Sequence, residues 1–237
     1  MRMDKKKAIK FKKHLEMCIG KPQKESEMLE VGKRLAEFDE KGSSASVKEA
    51  YENKLANLWD KVVAYENDTK EIEMFLSYSN CRKDSVIMSI GSGLGVFESF
   101  LAKEVLTSGE IICADFSEVM SKRAEEIKNK LKLENMEIIV ASAEKLPIKS
   151  GAADIFLARR TGLSIGNLWE KVLKEARRVI NPEKDSRLIY TVRASSAGSV
   201  EEIKRALKKA GFEFIKQDFF FEKDKTKIAM IVARPMV

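Results

Sequence analysis

From Ser85 onward, short apolar runs alternate with longer stretches whose apolar residues recur every three to four positions. The first spacing is that of buried strands and the second that of amphipathic helices. The pattern predicts strands near 85–90, 110–114, 136–140, 152–158, 186–193, 212–221 and 226–234, and helices near 94–107, 117–132, 167–180 and 199–210. Asn181-Pro182 stops the helix before the fifth strand. Ser199 and Glu202 form a capping box for the last helix, and Gly211 ends it. Strands separated by helices imply a doubly wound parallel sheet. The last two strands leave no room for a helix between them, so they should pair as an antiparallel hairpin through residues 222–225.

Residues 1–80 carry helical spacing only. Met28, Val31, Leu35 and Phe38 fall on one face, and residues 41–46 (KGSSAS) read as a loop. Ser46 and Glu49 look like a capping box, with Tyr51, Leu55, Leu58, Trp59, Val62 and Val63 on the face behind it. Asp68 and Glu71 repeat the box before Ile72, Phe75 and Leu76. The predicted architecture is therefore α/β. It is a Rossmann-like, mostly parallel seven-stranded sheet with an antiparallel C-terminal hairpin over residues 81–237, preceded by a helical extension or lid over residues 1–80.

Composition narrows the classes. The chain has 237 residues, 44% of them hydrophobic, which supplies a core and excludes a disordered chain. It contains no apolar run long enough to span a membrane, and its basic start lacks the apolar stretch of a signal peptide, so a cytoplasmic protein without a membrane partner is expected. Cys18, Cys81 and Cys113 match no metal-ligand spacing, and no metal is expected. The net charge of +7 is mostly local: residues 1–13 carry seven cations against Asp4. Such a tail can bind the phosphates of a nucleic acid, but it reads more simply as a solvated, frayed end.

The chemistry concentrates in residues 85–102, SVIMSIGSGLGVFESFLA. An apolar strand ends in Gly91, Gly93 and Gly95, and a helix follows at once. Twenty residues beyond Gly95, the next strand ends in Asp115. A glycine turn lets a backbone approach a ligand, and an acid at the next strand end can accept hydrogen bonds from both ribose hydroxyls. The arrangement points to an adenosine-containing cofactor. A dinucleotide fold would put a third glycine at Val96, and a P-loop needs Gly-Lys-Ser/Thr; neither is present.

The compact G-S-G-L-G, the segment GEIICADFSEVM (109–120) and the segment VASAEKLPIKSGAADIFLARR (140–160) together resemble class I S-adenosylmethionine-dependent methyltransferases, in particular the ubiquinone/menaquinone-type and "type 11" enzymes. The resemblance covers about residues 82–237. It implies S-adenosylmethionine as cofactor. Gly91, Gly93 and Gly95 would pass under its methionine part, and Asp115 would bind the ribose. Phe116 and Met120 would cover the adenine, and the Ala143 backbone N–H would meet the adenine edge. Arg159 and Arg160 would face the methyl group and the acceptor. Two family acids are replaced, one by Ser89 before the first glycine and one by Ser142 before the Ala143–Glu144 pair; Glu144 is a candidate substitute. Residues 51–65 resemble a lid helix of small-molecule enzymes, which makes Tyr51, Trp59 and Tyr65 candidate acceptor contacts; Arg159, Arg160 and Arg193, near strand ends, would suit an anionic acceptor.

The resemblance implies in-line transfer from an activated sulfonium, for which the protein supplies proximity, alignment and a dry pocket. The sole histidine, His14, lies in the basic tail and reads as a surface residue, so no histidine base is expected in the sheet domain. The acceptor reads as a small organic molecule. RNA or protein methylation, aminopropyl or aminocarboxypropyl transfer from a related cofactor, and a non-catalytic binding scaffold are the alternatives.

Overall fold

A computed structural model of the chain describes residues 5–19, 69–161, 167–183, 185–222 and 225–236. The elements run α1 (Lys5–Ile19), α2 (Thr69–Tyr78), β1 (Val86–Ile90), α3 (Val96–Glu104), β2 (Glu110–Asp115), α4 (Glu118–Leu131), β3 (Met136–Val140), β4 (Ile155–Arg159), α5 (Asn167–Val179), β5 (Arg187–Arg193), α6 (Val200–Lys209), β6 (Phe212–Phe221) and β7 (Lys227–Pro235). The seven strands form one sheet in the order β3-β2-β1-β4-β5-β7-β6. Strands β1 to β5 pair in parallel, and β7 runs antiparallel between β5 and β6. Chain order reverses between β1 and β4, and that switch point is where open α/β sheets hold ligands.

The strand interiors are apolar on both faces because helices cover both sides. Met88, Ile90, Phe156 and Tyr190 point to one side, against Trp169, Val172 and Leu173 of α5 and Ile203 and Leu207 of α6. Ile87, Leu157 and Ile189 point to the other side, against Phe11 of α1, Ile72 and Phe75 of α2, and Phe97 and Phe100 of α3. Helix α6 begins with the expected capping box: Ser199 accepts from the Glu202 N–H and Glu202 reaches back to Ser199.

One N-terminal expectation is corrected. Residues 5–19 are a packed helix rather than a frayed tail: Phe11 and Leu15 are buried, and Phe11 meets Phe100 edge-on at 5.0 Å. The lysines hid an amphipathic spacing, with Phe11, Leu15, Cys18 and Ile19 along one face. Asp68, the cap of the box expected at α2, lies outside the described residues, and the Glu71 carboxylate turns inward to the ends of β4 and β5. Residues 20–68, including the candidate contacts Tyr51, Trp59 and Tyr65, lie outside the described residues.

Candidate active site

The glycine turn is tied to the acid across from it. Gly91, Gly93 and Gly95 all have positive φ, at 58°, 54° and 64°. A Cβ on Gly91 would stand 2.6 Å from the Thr161 methyl, and one on Gly95 would stand 2.7 Å from Met136 Cε. Gly91 therefore needs glycine for space as well as for conformation, whereas at Gly95 the flexible Met136 end can yield and the positive φ is what favours glycine. Asp115 Oδ2 accepts from the Gly93 N–H at 2.9 Å, and Oδ1 accepts from the Ser117 N–H at 2.9 Å. Burial pushes the Asp115 carboxyl up, and the N–H groups of Ser117, Gly93 and Phe116 pull it back down. Of the carboxylate's roughly four lone-pair sites, these three donors leave one for a ribose hydroxyl. The Phe116 ring beside it is 39% exposed. This acid, turn and ring fit an adenosine group.

The loop after β3 joins the same edge through the Ala141 N–H, which donates to the Asp115 carbonyl at 2.9 Å. Ser142 is exposed and its hydroxyl accepts from the Glu144 N–H at 3.3 Å. Ala143 packs against the core. Glu144 is held by Lys171 of α5 at 3.0 Å. Met120 is not on this wall. It is 1% exposed and packs with Leu15, Leu94, Val96 and Ile127, which makes it a core residue. An apolar residue in the first turn of a helix gives no sequence signal that separates these two positions.

Beneath the turn, Ser89 has a partner that the sequence reading missed. Its hydroxyl donates to Glu98 Oε1 of α3 at 2.8 Å, and Glu98 is 2% exposed. Burial pushes the Glu98 carboxyl up, against the opposing pull of Arg159 and the Ser89 hydrogen bond. A signal was present: Glu98 is the one acid within the otherwise buried run VFESFLA, at a position the helix turns toward the sheet.

The ends of β4 and β5 carry a buried ionic cluster. The Arg160 guanidinium donates to Glu71 Oε2 at 2.8 Å and also pairs with Glu222, just past β6. Arg159 lies 3.5 Å from Glu71 Oε2, and its guanidinium sits 4.9 Å above the centre of the Phe97 ring. Thr191 Oγ1 donates to Glu71 Oε1 at 3.0 Å. Burial works to raise the Glu71 carboxyl, but Arg160, Arg159 and the two hydrogen bonds together hold it below the usual carboxylate range. Arg160 has φ of 51°, a left-handed conformation that costs a non-glycine residue on the order of 1 kcal/mol. Its N–H donates to the Thr191 carbonyl at 2.9 Å, which holds it there. Arg193 points outward and is exposed.

His14 corrects the surface reading. It is 3% exposed, lies 5.5 Å from the Phe100 ring, and its Nε2 is 2.8 Å from Ser99 Oγ. It packs against the first turns of α3, through Ser99 and the Val96 backbone. Among the described residues, no group of His, Cys, Asp and Glu could hold a metal ion, and no helix is long and apolar enough to cross a membrane.

Comparison with known proteins agrees with this geometry. The family described as a methyltransferase domain matches residues 82–232, well over half of the chain. No curated protein matches. Among solved structures, an S-adenosylmethionine-dependent methyltransferase from Aquifex aeolicus is 20% identical with a TM-score of 0.58, over 81% of this chain and 98% of that one. The (4+2) cyclase SpnF is 15% identical with a TM-score of 0.68, over 83% and 98% of the two chains. Geranyl diphosphate C-methyltransferase from Streptomyces coelicolor A3(2), in complex with Mg2+, geranyl diphosphate and S-adenosyl-L-homocysteine, is 10% identical with a TM-score of 0.59, over 71% and 79%. At these identities the structures show a shared fold; the family match, together with the glycine turn and its acid, makes this chain a member of the methyltransferase-domain family and a class I S-adenosylmethionine-dependent methyltransferase.

Proposed function

We propose that the chain methylates a small organic acceptor held between the glycine turn and the ends of β4 and β5. The observation that carries this reading is Glu71. A helix from the N-terminal segment places this carboxylate on Arg159, Arg160 and Thr191, so that segment covers this end of the sheet. The basic N-terminal run supports the same choice over RNA. Its helix spends its apolar side on the core, and Lys10 is paired with Glu104 at 2.7 Å.

When bound, the cofactor supplies a methyl group on a positively charged sulfur. Asp115 would hold a ribose hydroxyl, with Phe116 against the adenine and the loop at Ser142, Ala143 and Glu144 along its edge. Gly91, Gly93 and Gly95 would let the backbone pass close to the methionine part. Arg159 and Arg160 would border the acceptor and keep water out through their packed ion pairs. These groups bind, align and desolvate, which is the work an in-line displacement asks of a protein. No side chain is assigned as a base.

The test is incubation of the protein with methyl-labelled S-adenosylmethionine and a cell extract separated into small-molecule, RNA and protein fractions. Label in the small-molecule fraction is expected. Label transferred to RNA or protein instead would overturn the acceptor reading while leaving the cofactor in place.

A further inference from the structure

We propose that Glu98, fixed by Ser89, provides the carboxylate that receives the α-ammonium of the cofactor's methionine part. The inference rests on the cofactor assignment and deepens it at one end of the site.

Three observations converge on this residue. The first is position. With the ribose at Asp115 on the end of β2, the amino-acid end of the cofactor must cross the glycine turn toward β1 and β4, the strands at the switch point. Ser89 lies on β1 two residues before Gly91, and Glu98 lies three residues after Gly95, so the pair brackets the turn. The second is the hydrogen bond of 2.8 Å from Ser89 to Glu98 Oε1, which aims a buried carboxylate at the strand end where the sequence itself offers only a hydroxyl. The third is charge. Arg159 acts on the Glu98 carboxyl and also lies 3.5 Å from Glu71 Oε2, so Glu98 shares this cation with a second buried carboxylate. A buried carboxylate that shares its cation is stabilised by a further cation. S-adenosylmethionine brings an ammonium and a sulfonium against one carboxylate.

The cluster can admit that cation without leaving another stranded. Arg159 of β4 acts on Glu98, yet it also lies 3.5 Å from Glu71. If Arg159 yields Glu98 to the ammonium, it keeps Glu71. The other groups that act on Glu98 are the Ser89 hydroxyl on β1 and the Glu71 carboxylate on α2. Burial, and to a lesser extent the like charge of Glu71, push the Glu98 carboxyl up, and a ligand cation would act against both.

The experiment compares two ligands by calorimetry: S-adenosylhomocysteine, which keeps the amino-acid end, and 5′-methylthioadenosine, which lacks it. In the Glu98→Gln protein, affinity for the first should fall at least about tenfold, while affinity for the second should stay within about twofold of the unmodified protein. Adding Ser89→Asp to Glu98→Gln should restore most of the loss. The unmodified protein should also release a proton when it binds S-adenosylhomocysteine at mildly acidic pH, seen by repeating the titration in buffers of different ionisation enthalpy. That release should shrink in Glu98→Gln. Unchanged affinity for S-adenosylhomocysteine, or an equal loss for both ligands, overturns the assignment. Failure of the unmodified protein to bind either ligand overturns the cofactor-site reading as well, and so separates the two.

Discussion

Protonation of His14 should cost the protein stability in mild acid. Burial lowers its pKa from the ordinary 6.5 to about 4, Lys103 adds to the shift, and the Val96 backbone and Glu104 oppose it. The folded state therefore prefers the neutral ring, while the unfolded chain takes up a proton near pH 6.5. The unfolded state binds more protons throughout the window between the two values, so stability falls as pH falls through it and levels off below about 4. The full shift corresponds to about 3 kcal/mol, of which about 2 kcal/mol is lost between pH 7 and pH 5. For a chain of this size that is on the order of 4–8 °C in Tm. Urea denaturation at pH 7 and pH 5 measures it, with His14→Gln as the reference. Glutamine can still donate toward Ser99 but does not titrate in this range, so the variant should lose this share of the pH dependence. Amide exchange in α1, compared at one acidic pH, should be slower in the variant, because there the ring's protonation no longer drives α1 off. An identical pH dependence in both proteins would refute the placement of His14 under α3.

Asp115→Ala should weaken S-adenosylhomocysteine binding more than tenfold, at least about 1.4 kcal/mol, because the ribose loses its acceptor and the Gly93 N–H loses its anchor; an unchanged affinity in calorimetry would remove Asp115 from the site. Glu71→Ala should destabilise the fold by about 3 kcal/mol, because it leaves Arg160 and Arg159 buried with fewer partners. Thermal unfolding tests this, and a loss under about 1 kcal/mol would mean that the cluster relaxes into solvent.

The sequence by itself determined the sheet. Runs such as Ile87, Met88 and Ile90, buried on both faces, could only be central parallel strands, and the short gap before residue 227 forced the closing hairpin. It also determined the glycine turn and the acid across from it, because Gly91, Gly95 and Asp115 are set by backbone conformation and strand position, both of which are local properties. Only the tertiary structure decided the rest. The spacing around Glu71 gave no sign of its partners Arg160 and Thr191, because a carboxylate inside the fold goes to strong donors within reach and these lie far along the chain. Met120 and Phe116 share an apolar character and a place near a helix start, and only packing sent one to the core and left the other exposed. Lysines concealed the helix that buries Phe11 and His14, since charge dominates composition while one face decides docking. Glu98 reaches Ser89 across nine residues and two elements, a pairing fixed by how α3 leaves the glycine turn. Spacing along a chain records local geometry, whereas the partners of a buried charge are chosen by whatever the fold brings within a few ångströms.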